Sequence, residues 1–441
     1  MSQMIQDVRG SVIIPVHNSE KYLGQCLQSV LHQTFREIEI LCIDGGSTDS
    51  TPEIIKRMQS QDRRLVYIQD PHTGYGHKLN IGIDRAVGEY VMILESDDRM
   101  APHMIRSLYD IAAEHDSDIT DADYAELFCH QGKEYLHPKR KYPDKGYYGH
   151  VIQYTTGRDR YITTYGIWTA LYKKEFLRRH AIRLNESEGA SYQDLSFLFL
   201  TSLFAEKVCH LDMPLYQYRV DNTGSSVKDD TKIWEIVGEC AYLKTDLERR
   251  GIRDAYIWEL YYTRKYNAYY WNYCRLSPEA GTLFLKIYRE ELEHDQACGA
   301  VRREMFQGYM YQQTFFLSDD PDQFEKSAHN KSRATWAAKF CRLLESTEGR
   351  DIILFGAGIY GSELADLLQQ NENRLCGICD NSESVQGTEK NGFRVMPVEA
   401  AAEKFRDALF LLTSRRHTEG MKRQLTDLGI KEANIISAHD W

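Results

Sequence analysis

Apolar runs recur along the first part of the chain, and each gives way to a polar loop. Ser11-Val12-Ile13-Ile14-Pro15-Val16 leads into His17-Asn18-Ser19-Glu20, and the run from Ile38 to Ile43 leads into Asp44-Gly45-Gly46-Ser47-Thr48-Asp49. Tyr90-Val91-Met92-Ile93-Leu94 leads into Glu95-Ser96-Asp97-Asp98. Between these strand-like runs, Leu23, Leu27, Val30 and Leu31 fall at helical spacing behind Ser19, a candidate N-cap. Ser50 and Glu53 stand at capping-box spacing with Pro52 in the first turn. Leu65 to Ile68 predicts a third strand, followed by a helix near 77–87. The alternation predicts a mostly parallel sheet with helices on both faces. Acidic loops at the carboxyl ends of such strands are where an α/β sheet places its chemistry.

Beyond residue 118 the pattern is less regular. Trp168 to Tyr172 predicts a strand, Asp194 to Phe204 a helix with a broad apolar face, and Leu215 to Arg219 an alternating strand. Residues 231–345 are helical in pattern and rich in aromatic and charged residues, with Tyr261, Tyr262, Tyr266, Tyr269, Tyr270, Trp271 and Tyr273 clustered. That cluster reads either as an aromatic core or as an interface for a second subunit or a lipid-linked acceptor. Near 350 the strand–helix pattern returns: Asp351 to Phe355 enters Gly356-Ala357-Gly358-Ile359-Tyr360-Gly361, and Arg374 to Cys379 ends at Asp380. The predicted organisation is therefore α/β over 1–228, a helical middle region over 229–346, and a small Rossmann-like α/β domain over 347–441.

Composition narrows the function. The chain has 441 residues, room for two or three domains, and a formal net charge of −11. That balance speaks against a general nucleic-acid binder, which needs a basic surface. The ten cysteines are scattered without a paired ligand pattern and read as reduced thiols. The N-terminal stretch lacks an apolar signal core, and no run approaches the roughly 18 apolar residues of a spanning helix. A cytoplasmic protein is expected, with peripheral contact at the inner membrane face left open.

The ordered motifs Val12 to Asn18, Asp44 to Asp49, Asn80-Ile81-Gly82-Ile83, Ala86 to Tyr90, Glu95 to Asp98 and Tyr192-Gln193-Asp194 resemble those of inverting nucleotide-sugar glycosyltransferases of family 2, which have the GT-A fold. The resemblance covers about residues 8–228 and is nearest to bacterial enzymes that build capsule, lipopolysaccharide or related surface glycans. It implies a sugar nucleotide as donor and a hydroxyl of a glycan or lipid-linked glycan as acceptor. It also implies a divalent cation, Mn²⁺ or Mg²⁺, because hard cations favour carboxylate oxygens and stabilise a departing diphosphate.

The resemblance assigns roles residue by residue. Asp97 is the implied metal ligand, with Ser96 beside it, and Glu95, standing where the family has Asp, contacts ribose or a metal-bound water. Asp44 reads the nucleobase, a carboxylate accepting the imide N–H of uracil, so a UDP-sugar is favoured. Pro15, Val16 and Asn18 wall the base pocket, with Glu20 nearby, and Lys78 or His77 stands in for the family's missing Arg. Asp194 is the implied general base, since its usual acidic neighbour is Gln193. Trp168 and Tyr192 are candidate sugar-stacking residues, and Arg219 either clamps the diphosphate or forms a loop salt bridge.

The second glycine loop keeps three readings open. Gly356, Gly358, Gly361 and Asp380 fit a dinucleotide fingerprint, yet the domain is short. It suits a nucleotide-sugar site, a structural or oligomerising role that admits a homodimer, or a dinucleotide site. The competing functions are a dinucleotide-dependent sugar oxidoreductase and an inactive glycosyltransferase-like scaffold.

Overall fold

The computed structural model describes residues 8–142, 145–153, 166–222, 224, 232–306, 317, 319–320, 324, 336–370, 374–414 and 417–438. The chain forms two compact units. One comprises Met1–Tyr124, Arg140–Tyr218 and Asn222–Arg333; the other comprises Ala125–Lys139, Arg219–Asp221 and Ala334–Trp441.

The first unit begins with β1 (Gly10–Val16), α1 (Glu20–Leu31), β2 (Ile38–Asp44), α2 (Thr51–Gln59), β3 (Leu65–Gln69), α3 (Tyr75–Arg85) and β4 (Tyr90–Ile93). These strands run parallel in the order β3-β2-β1-β4, with Val16 opposite Asp44 and Ile13 opposite Ile93. The three polar loops therefore end at one edge of the sheet. Ile13, Leu41, Ile43, Val91 and Ile93 feed one core, and Val12, Ile14, Val16, Cys42 and Met92 feed the other. Strands buried on both faces read as continuous apolar runs, which is why this region is legible from sequence. Helix α3 lies directly on β1: a Cβ at Gly82 would stand 2.3 Å from the Ile13 side chain.

The expected helix near 77–87 starts earlier, at Tyr75, so the glycine-containing loop forms the first turn of α3. Along the chain next come β5 (Arg99–Met100), α4 (Met104–His115), β6 (Ile119–His130), β7 (Lys133–Lys139), β8 (Val151–Gln153) and β9 (Ala170–Lys173), with residues 125–139 grouped in the second unit. After these follow α5 (Lys174–Arg179), α6 (Gln193–Phe204) and β10 (Lys207–Arg219). The sheet continues past β4 in the order β9-β6-β10-β5, with β9 antiparallel to both β4 and β6.

This antiparallel half was hard to see in the sequence because buried polar residues interrupt its strands. Asp121 of β6 takes the Lys141 ammonium at 2.5 Å and the His210 ring, while Asp123 takes the Tyr148 hydroxyl at 2.7 Å. Trp168 is also corrected. It stands in a 3-10 turn, Ile167–Thr169, and the strand starts only at Ala170.

Helices α7 (Glu235–Arg249), α8 (Ala255–Arg275) and α9 (Pro278–Ala297) and a short 3-10 turn, Arg303–Met305, follow in this unit. Tyr261, Tyr266, Tyr269 and Tyr288 belong to the same core as α3 and α6. Buried Lys265 is neutralised by Asp295 at 2.7 Å and Glu291 at 2.9 Å, as a buried cation requires. The tyrosine cluster is thus mainly core, although Trp271 is 49% exposed.

The second unit contains α10 (Trp336–Thr347), β11 (Ile352–Phe355), α11 (Ile359–Gln370), β12 (Leu375–Cys379), β13 (Glu389–Lys390) and β14 (Phe393–Arg394). It ends with α12 (Val398–Lys404), β15 (Leu409–Leu412), α13 (Thr418–Asp427) and β16 (Ile435–Ser437). Its parallel sheet has the order β12-β11-β15-β16. The β6–β7 hairpin belongs to it: Phe128 stacks on Tyr135 at 5.2 Å, and both rings meet Phe340 edge-on. The Gln370 amide pairs with both backbone groups of Leu136, at 3.0 and 2.8 Å.

Candidate active site

The loops after β1 and β2 are tied to each other. Asn18, with a left-handed φ of 49° that Asn tolerates, accepts the Thr48 N–H at 2.8 Å on Oδ1. Its own N–H donates to Ser47 Oγ at 2.9 Å. His17 Nδ1 meets the Gly45 carbonyl at 2.9 Å. Val16 is buried in the core, and its carbonyl accepts from the Gly45 N–H at 3.0 Å. Pro15 pairs opposite Ile43.

Asp44 closes this corner. It is buried; one oxygen accepts from the Ser47 N–H and hydroxyl at 2.9 and 2.6 Å, and the other from the Tyr67 hydroxyl at 2.6 Å. Tyr67 was not foreseen; it lies on β3, two strands from the loop after β1, and only strand order brings it there. Lys78 Nζ donates to the Thr73 carbonyl at 3.0 Å. Burial lowers the Lys78 pKa, while the charges of Glu95 and Asp44 hold it up. A Cβ on Gly45 would stand 3.0 Å from Lys78 Nζ, so the ammonium lies against the loop that follows Asp44.

The loop after β4 carries the remaining acids. Glu95 receives the Tyr75 hydroxyl, and its N–H donates to Tyr216 Oη at 3.1 Å. Burial pushes the Glu95 carboxyl up to about 7; the Tyr75 bond opposes this, Asp97 and Asp194 add to it, and Lys78 opposes it. Ser96 Oγ shares a hydrogen bond with Ser19 Oγ at 2.8 Å. Asp97 takes the Asn222 amide at 2.7 Å, and buried Asp98 takes the Tyr216 hydroxyl at 2.7 Å. Trp168 stacks over Tyr216 and Tyr218, at 4.3 and 5.1 Å between centroids.

Asp194 sits in the first turn of α6. Burial raises its pKa; Arg264 of α8 and the backbone N–H groups of Asp194 and Leu195 pull the other way. Its neighbour Gln193 is buried and occupied, accepting from the Ser191 N–H at 2.7 Å and donating to Ser187 Oγ at 2.9 Å. Tyr192 has a left-handed φ of 66°, and its hydroxyl donates to Asn272 Oδ1 at 2.6 Å and accepts from Arg275 Nε at 2.7 Å.

Electrostatic proximity thus links Asp44, Lys78, Glu95, Asp97 and Asp194. The remaining candidates have protein partners of their own. Glu20 accepts the Ser50 N–H at 3.0 Å and Asp49 accepts the Glu20 N–H at 3.1 Å, so each carboxylate caps the other's helix. The Ser19 and Ser50 side chains make no cap bond. His77 lies between Glu186 at 3.0 Å and Asp70 at 3.6 Å, and hydrogen bonding to Glu186 raises its pKa. Arg219 meets Asp221 at 3.5 Å and is grouped with the second unit.

Among the described residues, no group of three or more His, Cys, Asp or Glu side chains forms a metal cage. Asp97 with Glu95 is instead the sparse carboxylate set that suits Mg²⁺ or Mn²⁺ when substrate phosphates and water complete the shell.

In the second unit, Gly356 has a φ of +116°, and a Cβ on Gly361 would meet the Gly356 carbonyl at 2.0 Å, so the loop is wound tightly onto α11. Asp380 braces it from within. One oxygen accepts the Ala357 N–H at 2.7 Å and the other the Ser382 N–H at 2.8 Å. Gly358, at the turn into the helix, has open space at its Cβ position.

Acids gathered at the carboxyl edge of the parallel half of a mixed sheet stand where α/β sheets bind their ligands. Residues 11–180 match the family described as glycosyl transferase family 2, and residues 348–436 match that described as C2185-like, N-terminal. The glycosyltransferase GlyG of Streptococcus pneumoniae is 30% identical over 241 residues, which cover 50% of this chain and 71% of GlyG. GlyA of the same organism is 30% identical over 235 residues, covering 52% of this chain and 33% of GlyA. The chain therefore spans about a third of GlyA's length. The crystal structure of S. aureus TarS 1–349 in complex with UDP-GlcNAc has a similar fold, with TM-score 0.54 at 17% identity over 74% of this chain and 92% of that one. The chain belongs to glycosyl transferase family 2.

Proposed function

We propose that the protein transfers a sugar from a nucleotide donor, with a UDP-sugar favoured, to a hydroxyl of a surface-glycan acceptor, inverting the anomeric configuration. The observation that carries this reading is that Asp44 and the acidic loop after β4 end at one edge of the parallel strands, where the charge of Asp194 also acts on Glu95. The UDP-GlcNAc complex of TarS supports the choice of nucleotide.

In this reading Asp44 and the Asn18–Ser47–Thr48 corner receive the base. Asp194 takes the proton of the acceptor hydroxyl. The freed oxygen pair attacks the anomeric carbon as the bond to the diphosphate oxygen breaks, and that electron pair leaves with the nucleoside diphosphate. Burial favours this base: a raised pKa makes the carboxylate a better proton acceptor, provided the pH keeps it ionised. Asp97, with Glu95 beside it, would hold a divalent cation against the diphosphate, and that cation would neutralise the leaving group's charge. Lys78 adds a cation whose charge is held up by Asp44 and Glu95 against the burial that lowers its pKa.

The test is nucleotide release from UDP-, GDP-, CDP- and dTDP-sugars with Mn²⁺, for wild type and Asp97→Asn, alongside UDP binding by calorimetry. Release from one donor that disappears in the variant supports the reading. No release from any donor together with no UDP binding overturns it.

A further inference from the structure

Helix α8 places a stripe of side chains beside the candidate base. Arg264, Trp271 and Arg275 are separated by seven and four residues. At about 100° per residue their directions agree to within about 40°, along roughly 16 Å of helix. Arg264 is the cation whose charge acts on Asp194, and the contact that places the stripe is Arg275 Nε donating to the Tyr192 hydroxyl at 2.7 Å, two residues before Asp194.

The Arg275 end of the stripe is built rather than incidental. Buried Asn272 accepts from both the Tyr192 hydroxyl at 2.6 Å and Arg275 Nε at 2.9 Å, and anchors its own amide on the Ile233 carbonyl at 3.3 Å. Tyr192 holds a left-handed backbone to reach this network, two residues before Asp194. Non-glycine residues in that conformation persist where surrounding structure enforces them, often at functional sites. Arg275 stacks over the Tyr192 ring at 5.6 Å and the Trp271 ring at 6.0 Å. Trp271, edge-on to Tyr192 at 6.1 Å, leaves about half of its surface in solvent.

We propose that Trp271, Arg275 and Tyr192 form an acceptor subsite that takes a hexose bearing a phosphate group. The exposed indole matches the apolar C–H face of a pyranose ring, and the guanidinium matches phosphate, for which its planar fork is suited. An anionic acceptor also needs cations to approach Asp194, Glu95, Asp97 and Asp98 in a chain of net charge −11. Arg264 and Arg275 supply them along the approach. This inference rests on the transferase reading, because only a transferred sugar requires an acceptor here.

The experiment labels the full chain with 5-fluorotryptophan, saturates it with UDP to fill the donor site, and titrates glucose 1-phosphate, methyl glucoside and inorganic phosphate by ¹⁹F NMR. The Trp271 signal is assigned by its loss in Trp271→Phe. It is expected to shift with glucose 1-phosphate at lower concentration than with either fragment alone. Arg275→Gln should weaken that titration by about tenfold or more, as for anchoring Arg side chains, with an unchanged thermal melt showing an intact fold. A Trp271 signal unmoved by glucose 1-phosphate, or a titration that Arg275→Gln leaves intact, overturns the subsite. UDP binding in the same samples tests the transferase reading separately.

Discussion

Both units present an apolar strand, a polar loop and a helix, yet they use their acids differently. In the first unit, the loops carrying Asp44 and Glu95 end at one edge of the sheet, their acids held by Tyr67 and Tyr75, and the charge of Asp194, at a helix start, acts on Glu95. Burial, with the charges of Asp97 and Asp194 adding to it, pushes the Glu95 carboxyl up to about 7. In the second unit, Asp380 places its two oxygens on backbone N–H groups of its own loops. The glycine pattern there is the cleaner motif, but its acid is engaged in holding the turn. A carboxylate that closes a loop contributes to stability; carboxylates crowded against one another in a cleft store unfavourable charge that a ligand can relieve.

The sharpest way to break this contrast is Asp194→Asn. Loss of the base is expected to lower transfer by about 10²–10⁴-fold while leaving UDP affinity intact, as read by turnover and calorimetry. Because burial raises the Asp194 pKa, wild-type turnover should fall as pH falls, starting above the ordinary carboxylate range. A variant with full turnover would remove Asp194 from the chemistry. Asp97→Asn should follow, with nucleotide release reduced by about a hundredfold.

Two smaller effects sharpen the contrast through stability. The folded Glu95 carboxyl binds its proton more tightly than an ordinary one, titrating near 7 rather than 4.5. Its contribution to stability is thus present below about pH 4.5 and is lost as pH rises through 7. Glu95→Gln should flatten this pH dependence and stabilise the protein at pH 8 by about 1–3 kcal/mol, measured by denaturant titration. Asp380→Ala should do the reverse, destabilising the second unit by about 1–3 kcal/mol through two lost hydrogen bonds. Nucleotide release should be unchanged. If Asp380→Ala instead abolished binding of a nucleotide without lowering stability, the second loop would be a ligand site and the contrast would fail.

The parallel half of the sheet was legible because β1, β2 and β4 are apolar on both faces and end in loops of distinctive composition. Asp44, Glu95 and Asp97 could be picked out because they follow these strands, whereas Asp194 was singled out by the resemblance of Tyr192-Gln193-Asp194 to the family motif. The antiparallel half was obscured by Asp121 and Asp123, whose partners Lys141, His210 and Tyr148 make polar residues fit buried positions. The sequence does not say which helix each acid serves: Glu20 accepts the Ser50 N–H and Asp49 the Glu20 N–H, contacts that only the paired loops bring about.

The sequence by itself determined the strand–loop–helix grammar, the acidic loop after β4 and the glycine turn after β11, because local periodicity and turn chemistry suffice for these. Tertiary structure decided which acids meet. Tyr67 reaches Asp44 through strand order, Tyr75 reaches Glu95 through the seating of α3 on β1, and Arg264 and Arg275 reach Asp194 and Tyr192 from a helix about seventy residues away. Such contacts arise from packing whole faces against one another, and no local pattern encodes which face a distant helix will present.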